Sequence, residues 1–257
     1  MSRGVLSDVM QLTPSNYDDF VQCQRRFLNR QLLGLPASDA GPPNDIGLLV
    51  HDLLRLIHAD GSCADTAHVA AVLAGHDADN DHVQQLVDRH VRRCPSSNVS
   101  GSAHEVTLAR FHKVPPPMFM ATARIDAVWV HDGLLDARDF KSGQVWSDRV
   151  ADDKQARLQA WILAPLADAR GLRLRISFEH LAAEVVDDPE PFEPDADDLL
   201  AIEEDVRGEV AAIRATTDFV GVADGDVCRR CRYRSICPDS ATPGVPVWPT
   251  VDTEDDA

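Results

Sequence analysis

The chain has 257 residues, 44% of them hydrophobic and 26% charged, with a formal net charge of −17. That length buries a full core without cross-links, and the composition excludes a fibrous or low-complexity protein. The acidic balance excludes a protein that grips a polyanion with its whole surface, so any nucleic-acid contact needs a local basic patch.

The first element in chain order starts at Thr13-Pro14-Ser15, a helix-start signal with proline in the first turn. Apolar residues at Tyr17, Phe20, Val21, Phe27, Leu28 and Leu32 extend it along one face until Gly34 and Pro36 end it. A second helix is predicted over Asp45–His58, with Ile46, Leu49, Val50, Leu53 and Ile57 on one side, and shorter helices over Asp65–Leu73 and Asp79–Arg93. The texture then changes to β-formers. Strands are predicted over His104–His112, Phe119–Val130 and Leu134–Phe140, separated by turn signals at 115–117 and 131–133. A helix over Asp152–Ala167, a strand over Arg173–Val185 and an acidic helix over Asp195–Ala215 follow. The order describes an α/β domain with a mixed sheet and a helical N-terminal annex. One domain over 1–238 is expected: annex 12–100, sheet core 101–190, cysteine-bearing segment 226–238. Residues 239–257 read as a disordered acidic tail. No apolar run approaches the roughly 20 residues that span a bilayer. The opening residues lack the apolar core of a secretion leader, so a cytoplasmic protein without a membrane partner is expected.

The segment Leu134–Gly143 carries the first candidate chemistry. Side chains two apart on a strand share a face, so Asp139 and Lys141 project together near the strand end. The preceding strand carries Arg124-Ile125-Asp126, and a hairpin brings Asp126 toward Asp139. Two carboxylates with an ammonium beside them suit Mg²⁺ or Mn²⁺, oxygen-seeking ions that activate a bound water. The chain has only three lysines (Lys113, Lys141 and Lys154) among its 25 basic residues, so a lysine two after an aspartate stands out. A compact ammonium serves this role where a planar guanidinium does not. Standing alone, the D-x-K tripeptide is common and is often a surface ion pair. His51, one helical turn after Gly47, is a candidate nitrogen ligand, and Glu105 a candidate further carboxylate. Gln155 and Gln159, also a turn apart, are positioned to orient the site or contact DNA, or else form an ordinary polar face.

Six cysteines in a cytosolic setting point to metal or cluster binding more than to disulfides. Cys228, Cys231 and Cys237 form a C-x2-C-x5-C run with no histidine nearby, and Cys23 is the best fourth ligand. A three-plus-one set fits a [4Fe–4S] cluster better than zinc, which stays open. Cys63 and Cys94, in helical stretches without partner spacing, read as small buried hydrophobes. Joining the ends at this cluster brings Arg25, Arg26 and Arg30 to Arg229, Arg230, Arg232 and Arg234, the candidate basic patch.

Taken in order, these pieces resemble the RecB-like nucleases of the PD-(D/E)xK superfamily. They are most similar to the iron–sulfur branch found in the AddB helicase–nuclease subunit and the CRISPR spacer-acquisition nucleases. The elements that carry the resemblance are Cys23-Gln-Arg-Arg-Phe27, Gly47 to His51, Arg124-Ile125-Asp126, Asp139-Phe140-Lys141, Gln155 to Gln159, and the three C-terminal cysteines. Gln159 stands where the family usually has tyrosine, and the net charge is unusual for a nuclease.

The resemblance implies a restriction-endonuclease-like sheet flanked by helices. It implies a Mg²⁺ or Mn²⁺ ion held by His51, Asp126, Asp139 and the Phe140 backbone carbonyl, while Glu105, opening the first strand, reads either as a further carboxylate acting through a water or as an exposed strand-end acid. It implies Lys141 as the catalytic lysine beside Asp126, Asp139 and Gln155. It further implies a [4Fe–4S] cluster on Cys23, Cys228, Cys231 and Cys237, and hydrolysis of DNA phosphodiesters on single strands or ends. Arg25, Arg26, Arg229 and Arg230 are the expected nucleic-acid contacts. No phosphate-cradling G-x-x-x-x-G-K-[ST] run is present, so unwinding falls to a partner, such as a helicase or another repair or defence protein. The alternative is a catalytically silent DNA-binding or scaffolding subunit.

Overall fold

The computed structural model describes residues 10–36, 45–60, 63–76, 80–95, 101–113, 118–142, 149–182 and 188–241. The predicted turn at 115–117 and residues 242–257 of the acidic tail lie outside them. Asp239 is inside, and its carboxylate accepts from Gly221 N–H (2.8 Å) and Arg25 Nε (3.2 Å), so the packed chain runs past the expected boundary at 238.

The elements in order are β1 (Met10–Leu12), α1 (Pro14–Gln22), α2 (Gln24–Phe27), a π-helical turn (Leu28–Leu32), α3 (Asp45–Asp60), α4 (Thr66–Gly75) and α5 (Asp81–Arg93). Then come β2 (Gly101–His112), β3 (Phe119–His131), β4 (Leu134–Lys141), a 3₁₀ turn (Val150–Asp152), α6 (Lys154–Asp168), β5 (Arg173–His180), α7 (Ala196–Ala215) and α8 (Gly225–Arg229). The expected βββαβα run is present, and the last strand stops at His180, short of the predicted Val185. β1 was not predicted, because three residues carry too little periodicity to register.

The predicted first helix is two helices. Thr13 caps α1 in a reciprocal capping box with Asn16, worth about 1 kcal/mol. The chain then extends at Cys23 (φ −163°, ψ 106°) before α2 begins. Neither glycine nor proline sits there. The break follows a tertiary contact: the Arg25 N–H leaves the helical pattern and donates to the Val220 carbonyl, 3.1 Å away, in the C-terminal segment.

β3 is the axis of a five-stranded mixed sheet. β2 pairs antiparallel along nearly its whole length, from Gly101↔Val130 to His112↔Phe119. Its other edge is shared, parallel β1 taking Phe119–Ala121 and antiparallel β4 taking Ala127–His131. β5 then adds to β4 in parallel through the α6 crossover. Helices cover both faces, as buried mixed sheets require. One core packs α1, α6 and α7 against Phe119, Ala121, Ile125, Leu135 and Ile176. A second packs α3, α4 and α5 against Ala127, Trp129 and Phe140. Trp161 anchors the first and Trp129 the second, and truncating either to alanine would cost about 3–5 kcal/mol.

Ile125 faces the first core and Ala127 the second, so the alternation of β3 changes phase at Asp126. The residue opposite, Glu105, has φ 53°, a left-handed conformation that non-glycine residues adopt at a cost. This is where the sheet turns a carboxylate toward α3. A second local irregularity is also accounted for. Pro165 inside α6 has no N–H for the Trp161 carbonyl one turn back. The Arg110 guanidinium donates to that carbonyl (2.5 Å) and stacks on the Trp161 ring 3.9 Å away, so the buried oxygen is satisfied.

Candidate active site and cysteine pocket

The β3–β4 register ends at Ala127↔Arg138, and one step further Asp126 and Asp139 stand opposite each other. Their surroundings differ. Asp139 is 6% exposed, and its carboxylate meets Lys141 Nζ at 2.5 Å. Gln155 Nε2 donates to the same carboxylate, and Gln159 Nε2 lies 3.5 Å from it. Lys141 Nζ also donates to Gln155 Oε1 (3.1 Å), closing a triangle between the strand end and the first turn of α6. Asp153 caps that turn through Ala156 N–H. The two glutamines therefore orient Asp139, and Gln159, where a tyrosine was expected, is wholly buried in doing so.

Asp126 belongs to the other side. One carboxylate oxygen accepts from the Phe140 N–H (2.7 Å), and the other faces His51 Nδ1 of α3 at 3.4 Å. Ligand atoms of His51, Glu105 and Asp126 all lie within 4.8 Å of one another, a spacing that suits one cation. Glu105 also bonds Arg124, which balances part of this charge. The Phe140 ring sits edge-on to His51 at 6.1 Å.

The electrostatics follow from burial and crowding of like charge. Burial raises the Asp139 carboxyl above its usual range; the Lys141 ammonium opposes this, and neighbouring Asp126 adds to the rise. For His51, burial works downward, but the hydrogen bond and charge of Asp126, with Asp139 and Glu105 behind, outweigh it and raise its pKa. A pocket crowded with anions around an imidazole is one that a divalent cation would neutralise.

A cleft of about 710 Å³ opens beside this site, lined among others by Lys141, Gln155, Phe178, His180, Asp18 and Arg230. His180 was not singled out in the sequence. It pairs in register with Lys141, is buried, and neither ring nitrogen has a hydrogen-bond partner among the described residues. It is the last residue of β5, two after Phe178, and no motif spacing marks it in the sequence.

Cys23, Cys228, Cys231 and Cys237 all line one small pocket, together with Arg25, Arg26 and Tyr233, and none is in a disulfide. The break at Cys23 and the α8 turn bring these thiols together from opposite ends of the chain. Four soft thiol donors and flanking arginines suit an anionic metal–sulfur group. The arginine patch is less open than expected. Arg25 pairs with Asp239, Arg26 with Asp19, and Arg229 with Asp226, while Arg230 faces the cleft. Cys63 is buried as expected, but neither it nor Cys94 is an isolated apolar filler, since both sulfurs face His58 Nε2.

Residues 11–238 match the family described as the PD-(D/E)XK nuclease superfamily. No curated protein matches the sequence. Among solved structures, the chain is similar to one named "Putative exonuclease" from Eubacterium rectale. That likeness has 13% identity and a TM-score of 0.50, and covers 89% of this chain and 92% of that one. It is also similar to SSO0001, with 11% identity, a TM-score of 0.41 and coverage of 90% and 88%. At such identities the first likeness speaks to the fold alone, which agrees with a five-stranded mixed sheet flanked by helices. Among the described residues, no helix is long and apolar enough to cross a membrane.

Proposed function

Since the chain belongs to the PD-(D/E)XK nuclease superfamily, we propose that it is a metal-dependent deoxyribonuclease that hydrolyses phosphodiester bonds at single strands or DNA ends. The observation that carries this reading is the meeting of two half-sites at the β3–β4 strand ends: Asp139, Lys141 and Gln155 from one layer, His51, Glu105 and Asp126 from the other. His51, Glu105, Asp126, Asp139 and the Phe140 backbone carbonyl would hold Mg²⁺ or Mn²⁺. Bound there, the ion supplies Lewis acidity toward a phosphoryl oxygen and lowers the pKa of a water.

The protein's own groups do the rest. Lys141 places its ammonium where negative charge develops on the phosphoryl group, in a site partly shielded from water. Gln155 fixes both the Lys141 ammonium and the Asp139 carboxylate, so neither has to reorganise as the substrate reacts. Arg230, at the cleft, contacts a substrate phosphate. Arg25, Arg26 and Arg229, each engaged by a carboxylate, contribute less to DNA binding than their clustering suggested. Cys23, Cys228, Cys231 and Cys237 hold a structural [4Fe–4S] cluster that ties α2 to the C-terminal segment. The acidic surface favours action beside a partner, a helicase or another repair or defence protein, in the cytoplasm.

The test is anaerobic purification followed by incubation with labelled single-stranded DNA and Mn²⁺, alongside Lys141→Ala. Cleavage by the wild type alone supports the proposal. A folded, brown wild type that binds DNA without cutting it would replace the proposal with a silent DNA-binding subunit. A colourless protein holding zinc on the four cysteines would remove the cluster and leave the nuclease assignment standing.

A further inference from the structure

A second group of soft ligands lies in the helical layer, away from the four-cysteine pocket. His58 is near the end of α3, Cys63 just precedes α4, His90 is in the last turn of α5, and Cys94 caps that helix. Their ligand atoms all lie within 4.8 Å of one another, and the group is largely buried. The individual separations are informative. His58 Nε2 is 2.8 Å from His90 Nε2, 3.4 Å from Cys63 Sγ and 3.8 Å from Cys94 Sγ. Around a tetrahedral zinc with ordinary bond lengths, sulfur–nitrogen edges are about 3.6 Å and nitrogen–nitrogen edges about 3.3 Å. The two sulfur–nitrogen separations from His58 bracket that edge length, its separation from His90 is somewhat shorter, and the remaining pairs lie within 4.8 Å, a spacing compatible with one tetrahedral ion.

His90 Nδ1 faces Glu179 Oε1 at 2.9 Å, both residues being fully buried. Glu179 thus fixes a proton on His90 Nδ1, so that His90 Nε2, once deprotonated, is the nitrogen available to a cation. His58 Nε2 can donate to that nitrogen or accept from a thiol, but not both. Three polar atoms nonetheless converge on it. A cation at the centre satisfies all four at once.

We propose that His58, Cys63, His90 and Cys94 form a tetrahedral zinc site that staples α3 and α5 together beneath the catalytic strand. Binding releases one proton from each thiol to solvent, so the ion and two thiolates are neutral overall and suited to burial. Two thiolates and two imidazoles in a tetrahedron select zinc over Mg²⁺ or Mn²⁺. Glu179 is the orienting carboxylate that fixes the tautomer and ring plane of His90, and Arg138 holds its other oxygen (3.4 Å). The site is closed on two sides, by the His104 ring stacked on His58 at 4.0 Å and by Phe140 edge-on to His90 at 4.8 Å. Both helices it joins bear on the candidate active site: α3 carries His51 two turns before His58, and α5 packs His90 against Phe140, which directly follows Asp139 on β4. The inference does not rest on the nuclease reading.

The experiment is elemental analysis of the full chain purified without added metal, followed by chelation and titration with Co²⁺. The proposal expects bound zinc that is distinct from any iron. Cobalt should give the ligand-field bands of tetrahedral coordination with sulfur-to-metal charge transfer. Cys94→Ser should lose the zinc with iron content unchanged, and Glu179→Gln should weaken zinc affinity about 10- to 100-fold. Should the serine variant not fold, the wild-type cobalt spectrum still decides. The proposal is overturned by a wild type that takes up neither zinc nor tetrahedral cobalt, or by a Cys63–Cys94 disulfide in the denatured, unreduced chain. Zinc lost from Cys228→Ser but retained by Cys94→Ser overturns it equally, since the ion then belongs to the other pocket.

Discussion

The two halves of the candidate active site are built to different standards. On the β4 side, Asp139 is surrounded by Lys141, Gln155 and Gln159, and all four residues lie within 20 positions of one another along the chain. On the α3 side, His51 keeps about a quarter of its side chain exposed, and it meets the site through a longer contact, 3.4 Å from Asp126. Short-range contacts between a strand end and the next helix preorganise the first half. The second half depends on how α3 packs against the opposite sheet face, and it has room to tighten. The β4 half should therefore govern the rate of reaction and the α3 half the grip on the ion.

The largest expected effect breaks the first half. Lys141→Ala should lower the cleavage rate constant about 100- to 1,000-fold at saturating Mn²⁺ while leaving metal affinity nearly unchanged. A rate within a few-fold of wild type would sink the division of labour. Next, His51→Ala should act the other way, weakening Mn²⁺ binding about 10-fold with most of the rate restored by excess ion; calorimetric titration beside kinetics separates the two. The third effect is on pH. His51 and Asp139 both have raised pKa values, so both take up protons at higher pH than ordinary groups would. Protons compete with the ion, so Mn²⁺ affinity should fall on acidification from neutral pH, and His51→Ala should shift the onset of that fall to lower pH. An onset that does not move would remove His51 from the site. The smallest effect concerns the cleft: Arg230→Ala should weaken DNA binding modestly and reduce the slope of log affinity against log salt by about one.

Much of this was legible in the residues. The helix periodicities of α3 and α7, the β2–β4 hairpins and the Asp139–Lys141 pair follow from local spacing, which the structure keeps. The C-x2-C-x5-C run announced itself because three cysteines in ten residues need no tertiary information. The break at Cys23 was not legible, since no residue type there stops a helix, and it follows a bond to the Val220 carbonyl. The pairing of Arg25, Arg26 and Arg229 with carboxylates was equally hidden, because charge clusters in a sequence carry no direction. Cys63 and Cys94 each follow a histidine by about one helical turn, His58 and His90. That spacing is a weak signal, and it gains meaning only when α3 and α5 are seen packed side by side.

The sequence by itself determined the fold class, the order of elements and which short segments are candidates for chemistry, because hydrophobic period and motif spacing are local quantities. Only the tertiary structure decided which carboxylate faces which layer, through the change of phase at Asp126 opposite Glu105. It also decided which histidines and cysteines meet. Those outcomes depend on sheet register and helix packing, which bring together residues whose separation along the chain says nothing about their distance in space.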